Sequence, residues 1–292
     1  MSIVITTPTG NIGSQAVKQI LNAGADVSVI VRQPEKLSDS IRSRVKVYQG
    51  SLTDTGLVTK AFQGARAVLW VTPPSFTHPD VAAYHSELGS VVATAIKETK
   101  IPYVVNISSA GAQLDNAGPI SGLGIVERRL KEVAENVIHL RPGFFMENFL
   151  FDLESIKRDG AVYSLIPGEI PYPIIATQDI GNVAAELLLR TKWSGHQTRG
   201  LHGPTDLTFA NAATILSDSI GKSVKHVQIT PDQAYQTFLN FGASPGFAKA
   251  YVEMHQALAQ PGAVAELRTR QTTTPTLLRE WSDSVLRPLF AG

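Results

Sequence analysis

The chain contains no cysteine, which excludes disulfides, thiol nucleophiles and thiolate metal ligands. Its seven histidines are scattered along the sequence and form neither a His-x3-His pair nor a His-Glu pair. Zinc sites need such ligands at short, regular spacings. We therefore expect no metal site.

Charge of one sign and long apolar runs are also lacking. The 26 basic and 25 acidic residues leave a net charge of +1, and they are spread along the chain, so no nucleic-acid surface is predicted. No apolar run approaches the roughly 20 residues that cross a bilayer. No basic segment followed by an apolar stretch, as in a secretory signal, follows Met1. We expect a soluble cytoplasmic protein, a monomer or homodimer, which has a small-molecule partner and contacts neither nucleic acid nor membrane.

Short β-branched runs alternate with helical patterns through the first half of the chain. The predicted strands are 3–7, 27–32, 45–48, 67–72, 103–107 and 137–140, and the predicted helices are 12–22, 56–62, 81–97 and 124–134. Strands that are apolar nearly throughout and separated by helices indicate a parallel sheet covered on both faces. We predict an α/β fold with a Rossmann-like, doubly wound sheet.

The regular alternation ends after Arg141-Pro142-Gly143, where glycine and proline become frequent. We therefore predict a nucleotide-binding domain over 1–150 and a smaller, mostly helical substrate-binding lobe over 151–292. Residues 178–204, a helix followed by a strand, are expected to return to the main sheet. Pro275 is predicted to open a last helix that ends near Leu286, since proline is tolerated in a first turn.

A glycine turn between the first strand and the first helix is the most informative motif. Gly10 and Gly13 supply the last two glycines of the fingerprint G-x-x-G-x-x-G, and Thr7 stands in place of the first. Backbone N–H groups at such a helix start bind a pyrophosphate. This predicts a dinucleotide site formed by residues 7 and 9–13, namely Thr7, Thr9, Gly10, Asn11, Ile12 and Gly13. The alternative is an ordinary strand-to-helix turn that needs glycine for its backbone.

The second strand ends at a basic residue. An acid at this position binds the ribose 2′-hydroxyl of NAD, whereas a basic residue accommodates the 2′-phosphate of NADP. Here Arg32 stands at the strand tip with Lys36 close by in sequence, which favours NADP(H). The alternative is a surface arginine in a turn.

Three further strand exits complete the predicted cofactor site. Ser51 and Leu52 follow the third strand, where the adenine commonly lies, and Asp54 beyond them is expected to cap a helix. Thr72 and Pro73 follow the fourth strand. Ser108 follows the fifth, where its hydroxyl can meet ribose or substrate, or can cap a turn instead.

These residues resemble the NmrA-like branch of the atypical short-chain dehydrogenases/reductases, which includes bacterial NADPH:quinone reductases. The likeness spans about residues 1–189, with an echo near 274–277. The matching segments are Thr9-Gly10-Asn11-Ile12-Gly13, Val31-Arg32, Val71-Thr72-Pro73, Ser108-Ser109-Ala110-Gly111, Arg141-Pro142-Gly143-Phe144-Phe145-Met146-Glu147-Asn148 and Asp179-Ile180.

The resemblance implies an NADP(H) cofactor and assigns roles around the nicotinamide. Pro142 and Phe144 would border the cofactor, and Phe145, Met146 and Asn148 would border the substrate. From composition alone, the Phe-Phe-Met run is equally well explained as core. Further along the chain, Phe238 and Phe241, with Phe247 and Tyr251 near them, are available to line a cleft for a bulky apolar or aromatic substrate, or to form the lobe's own core.

One catalytic feature of short-chain dehydrogenases is missing. They resemble one another in a Tyr-x-x-x-Lys pair on the helix after the fifth strand, but here no tyrosine has a lysine four positions on, and Leu123 and Glu127 occupy those sites. Reducing a simple ketone creates an alkoxide, which is costly without a positioned donor.

Three hypotheses follow from the missing pair. The protein reduces an acceptor that needs little acid help, such as a quinone, an imine or iminium, an azo group or an activated enone. Alternatively, it binds NADP(H) without turnover as a redox-sensing regulator of the NmrA type. In the third, a donor comes from elsewhere, with Tyr84, His85, His78 and Tyr163 as candidates that are each also explained as structural residues.

Overall fold

A computed structural model describes residues 2–260 and 262–291. Seven parallel strands form the central sheet in the spatial order β10-β6-β5-β4-β1-β2-β3. They are β1 (Ile3–Thr6), β2 (Val27–Val31), β3 (Val45–Gln49), β4 (Ala67–Val71), β5 (Tyr103–Ile107), β6 (Asn136–Pro142) and β10 (His196–Leu201). The predicted Rossmann-like doubly wound fold is confirmed.

The strands read as continuous apolar runs because both faces of the sheet are covered. Ile3 and Ile5 face one layer of helices and Val4 faces the other, and all three are fully buried. The first layer holds α1 (Asn11–Asn22) and α7 (Thr177–Leu189), and the second holds α3 (Thr55–Phe62), α4 (Val81–Thr99) and α5 (Pro119–Val133). A short helix, α2 (Asp39–Arg42), precedes β3.

The smaller lobe is built from helices and two small sheets. Its helices are α6 (Leu153–Asp159), α8 (Phe209–Ile220), α9 (Pro231–Asn240), α10 (Pro245–Leu258), α11 (Leu278–Trp281) and α12 (Arg287–Ala291). Its strands are β7 (Phe144–Phe145), β8 (Ala161–Ser164), β9 (Tyr172–Ile175), β11 (Asp206–Leu207) and β12 (Lys225–Gln228), arranged as β11-β9-β7 and β12-β8. The substrate-binding role of this lobe stays a prediction.

The start of helix α5 differs from the predicted one by five residues. Helix α5 begins at Pro119 rather than at 124 and continues through two glycines that look like helix breakers. Those glycines are needed for close packing, because a Cβ at Gly122 would lie 2.6 Å from His85 Nδ1 and one at Gly124 would lie 2.3 Å from the Ala112 carbonyl oxygen.

The prediction that Pro275 opens the last helix is wrong. Helix α11 begins at Leu278, with Leu277 as its N-cap, and Pro275 lies before it. The segment before the helix is held in place by Asp179 of α7, which accepts hydrogen bonds from the Thr276 backbone N–H (3.0 Å) and hydroxyl (2.8 Å).

Across the described residues, no helix has the length and apolar character needed to cross a membrane.

Candidate functional site

The glycine turn joins β1 to α1 with a tight approach between strand and helix. Thr7, in place of the first fingerprint glycine, has φ +49, the left-handed conformation that glycine adopts readily. Gly13 is demanded by the fold, since a Cβ there would lie 2.2 Å from the Thr7 carbonyl oxygen. The last fingerprint glycine is expected to serve such helix–strand packing.

The surroundings of Gly10 differ from those of Gly13. It is the exposed N-cap of α1, with φ −83, and a Cβ there would make only an ordinary 3.5 Å contact with the Thr7 carbonyl oxygen. Protein packing therefore does not require glycine here, whereas close approach of a pyrophosphate to the helix N-terminus does. Thr9 and Asn11 beside it are also exposed.

Two cations stand at the end of β2. Arg32 and Lys36 are exposed, and within residues 2–260 and 262–291 neither forms an ion pair. Arg32 lies near Tyr84: burial raises the pKa of that phenol, and the guanidinium opposes the rise. An unpaired guanidinium at the strand tip is suited to a phosphate.

The third and fourth strand exits lie as the sequence suggests. Asp54 caps α3, since its carboxylate accepts from the Leu57 N–H at 3.0 Å, and this expectation is confirmed. Ser51 is half-buried and Leu52 is buried in the core beneath the sheet edge. Pro73 is partly buried directly after Thr72, whose hydroxyl accepts from Trp70 Nε1 at 3.1 Å.

A cavity of about 300 Å³ opens at the carboxyl ends of the central strands. The structure brings ten predicted residues together in its wall: Ile12, Thr72, His85, Ser108, Pro142, Phe144, Phe145, Asn148, Phe247 and Tyr251. Most of the remaining wall is apolar, with Leu123 from α5 and Met254 and Leu258 from α10. Among the described residues no Asp, Glu, Lys or Arg lines it. Such a wall suits a flat, apolar ring system.

Six residues predicted to bind the substrate or to donate a proton do not line this cavity: His78, Tyr84, Met146, Tyr163, Phe238 and Phe241. Met146 is buried in the core of the smaller lobe, and Phe241 projects into solvent after α9. Phe238 packs behind the wall, with its ring centroid 4.5 Å from that of Tyr251. Tyr84 stacks between His78 and His85, and Tyr163 is exposed on β8 beside Asp159. Each lies outside the cavity wall in this structure, and their predicted roles in substrate binding and proton donation stay predictions.

The two positions of the missing Tyr-x-x-x-Lys pair lie at and behind the cavity wall. Leu123 lines the cavity, whereas Glu127 is buried and accepts two hydrogen bonds from Arg141, at 2.8 and 2.7 Å. Burial acts to raise the pKa of Glu127, but the hydrogen bonds and charge of Arg141, together with smaller effects of neighbouring groups, outweigh it and the pKa is lowered. Arg141 also binds Glu266 at 2.7 Å. Glu127 therefore remains an ionised structural partner and offers no proton.

The sequence of this chain matches a known protein family over almost its entire length. The sequence model of the NmrA-like family matches residues 1–282. The chain is a member of the NmrA-like family. This confirms the resemblance inferred from the fingerprint and the Arg141–Asn148 segment.

Named relatives of this NmrA-like protein include enzymes and a regulator. An NAD(P)H azoreductase from Xenophilus azovorans is 29% identical over 90% of this chain and 89% of its own. The triphenylmethane reductase of Citrobacter sp., solved with NADP(H), has a TM-score of 0.77 at 20% identity over 97% of this chain and 99% of its own. NmrA, a negative transcriptional regulator solved with NADP, has a TM-score of 0.73 at 16% identity over 99% and 95%.

Several residues of the NmrA-like cavity were not singled out from the sequence. Tyr172, at the start of β9, lines the cavity, and nothing in its sequence context marks it. Met254 and Leu258 join Phe247 and Tyr251 on one face of α10. Their spacing of four, three and four residues is helical and could have placed all four on a single face.

No cluster of metal-binding side chains occurs within the described ranges.

Proposed function

We propose that this NmrA-like protein is an NADPH-dependent reductase that transfers hydride to an activated apolar or aromatic acceptor. The candidate acceptors are a quinone, an imine or iminium, an azo compound and an activated enone. The observation that carries the proposal is the cavity beside the glycine turn, which is aromatic and uncharged and has Leu123 where an acid would stand.

The residues of the first two strand exits fit an NADP(H) cofactor. Gly10 leaves open the space that a Cβ would fill at the N-cap of α1, and the first N–H groups of a helix are available to bind a phosphate. Arg32 offers an unpaired guanidinium for the 2′-phosphate. By their position Ser51 and Leu52 would flank the adenine, and Pro142 and Phe144 would border the nicotinamide. When bound, NADPH supplies the hydride.

The cavity residues bind the acceptor and exclude water, but they provide no strong acid. His85 has its Nδ1–H bonded to the Val81 carbonyl oxygen, and burial lowers its pKa. Burial raises the pKa of Tyr172, and no neighbouring ammonium offsets this within the described structure. A phenol of raised pKa cannot replace the activated tyrosine of the usual pair. Acceptors whose reduction needs little acid help are therefore favoured over simple ketones.

A panel of acceptors tests the proposal directly. NADPH oxidation is followed with quinones, iminium compounds, azo dyes, activated enones and simple ketones. We expect turnover with at least one activated class and none with simple ketones, because an alkoxide would have no donor. Rapid reduction of simple ketones would contradict the proposal.

The second candidate function is an NADP(H)-binding redox sensor. It is favoured by the similarity of fold to the NmrA regulator and by the absence of the catalytic pair. Large apolar side chains are exposed, among them Phe151 at 72% and Leu267 at 81%, and a partner could cover them. Stoichiometric NADPH binding without oxidation on the whole panel would favour the sensor.

Replacing Arg32 by alanine tests the choice of NADP over NAD. Of the groups on the cofactor, the exposed guanidinium would contact only the 2′-phosphate. We therefore expect Arg32→Ala to weaken the binding of NADPH by about 10-fold or more and to leave the binding of NADH nearly unchanged. The measurement is a fluorescence titration with each nucleotide, and Arg42→Ala, at another exposed arginine, serves as the control. Equal losses for both nucleotides would remove Arg32 from the phosphate site.

A further inference from the structure

His85 is a buried histidine in the cavity wall whose tautomer is fixed by its own helix. It lies in the second turn of α4, and its Nδ1 is 2.8 Å from the Val81 carbonyl oxygen. A carbonyl oxygen can only accept, so Nδ1 carries the ring proton and donates it. Gly122 of α5 packs closely against this ring, since even a methyl group there would lie 2.6 Å from Nδ1.

The second ring nitrogen is left with a free lone pair. His85 is only 4% exposed and lines the cavity, and its Nε2 has no hydrogen-bond partner in the described ranges. Nε2 is also not among the polar atoms that are sealed off without a partner, so the small exposed fraction of the residue includes it. Burial lowers the pKa of His85, which keeps the ring neutral at pH 7. In neutral imidazole, Nε2 is then an acceptor only.

The cavity residues on the two neighbouring helices offer this lone pair no side-chain hydrogen-bond donor. The other cavity residues on α4 and α5 are Val81, Pro119, Ile120 and Leu123, all apolar. A ligand without a donor would cover Nε2 and leave it unsatisfied, which costs binding free energy. A ligand carrying an O–H or N–H at that edge would keep it paired.

We infer that His85 is a specificity-determining residue that accepts a hydrogen bond from an O–H or N–H group on the aromatic ligand of the cavity. This inference rests on the proposed function for its ligand class, an apolar aromatic acceptor. It narrows that class to rings that carry a phenolic hydroxyl or an aromatic N–H. The ring atoms pack among the aromatic side chains, and the donor points to Nε2.

Binding of a matched, non-reducible ligand pair tests the inference without any need for turnover. The probes are 2-naphthol and 2-methoxynaphthalene, which are similar in shape but differ in the donor, titrated into the full chain saturated with NADP⁺. For the wild type we expect naphthol to bind about tenfold more tightly, which corresponds to about 1.4 kcal/mol. His85→Phe should remove this preference while keeping the apolar contact.

The matched control is His255→Phe. His255 bonds through Nδ1 to the carbonyl oxygen four residues earlier, at 2.9 Å, as His85 does, but it does not line the cavity. This variant should keep the tenfold preference. Should His85→Phe fail to fold, ¹⁵N spectra of histidine-labelled wild type give a second readout. The Nε2 resonance of His85 should shift with naphthol and stay in place with the methyl ether.

Three results would overturn the inference: equal binding of the two probes to the wild type, an unchanged preference in His85→Phe, or no binding of either probe. A protein that binds the probes as expected but never oxidises NADPH would refute the proposed function and leave the role of His85 intact. The two failures are therefore distinguishable.

Discussion

Gly10→Ala is expected to fold like the wild type and to lose most of its affinity for NADPH. A Cβ at this position meets nothing closer than 3.5 Å in the protein but occupies the space in front of the α1 N-terminus. Losing one hydrogen bond from a backbone N–H to a charged phosphate costs about 1.5–3 kcal/mol, roughly a 10- to 150-fold loss of affinity. NADPH titration measures the affinity, and the urea unfolding curve measures the stability.

Gly13→Ala is the matched comparison at the other fingerprint glycine. Its Cβ would lie 2.2 Å from the Thr7 carbonyl oxygen, a distance that requires the backbone to shift. Overpacking of this kind costs about 1–3 kcal/mol or more, so we expect a clear loss of stability in this variant. If Gly10→Ala bound NADPH normally, or if it were as unstable as Gly13→Ala, the division of roles between the two glycines would be wrong.

Glu127→Leu is expected to lower the free energy of unfolding by about 3 kcal/mol. Removing one member of a buried ion pair costs about 3–5 kcal/mol because the remaining charge loses its partner. The lower end applies here, since Arg141 keeps its bond to Glu266 at 2.7 Å. Urea unfolding followed by tryptophan fluorescence measures the change.

Asp159→Leu is the matched control for the buried pair. Asp159 also accepts three hydrogen bonds from an arginine, Arg158, but the Arg158 side chain is 74% exposed. Exposed ion pairs contribute little, so the control should remain close to the wild type. Similar losses of unfolding free energy in both variants would mean that the buried Glu127–Arg141 pair stabilises the fold no more than the exposed Asp159–Arg158 pair.

The part of the site that could be predicted from sequence is the part encoded by local patterns. The glycine turn, the cation after β2 and the Arg141–Asn148 segment are each contiguous in sequence, and each lies at a strand end as the fold requires. In a doubly wound sheet those ends converge, so contiguous motifs are enough to place the side of the cavity that is proposed to hold the cofactor.

The opposite wall depends on contacts between distant segments. Helix α10 approaches α5 closely only because Gly118 has no side chain, since a Cβ there would lie 1.9 Å from the Ala250 carbonyl oxygen. Tyr172 reaches the cavity because β9 pairs with β7, placing Ile174 beside Phe144. Neither contact leaves a periodic pattern in the sequence. Phe241 was predicted at the cavity from composition, but it lies beyond the end of α9 in solvent.

We propose that hydride leaves the cofactor in a cavity that lacks the usual acid. The most direct test of this proposal is single-turnover reaction of NADPH, deuterated at its transferable position, with an acceptor that gains a C–H bond, such as an aromatic iminium or an enone. We predict that the product carries the deuterium on carbon and that Gly10→Ala loses this transfer at limiting NADPH. Full binding of NADPH with no deuterium in any product would contradict the account and assign the protein to the sensors.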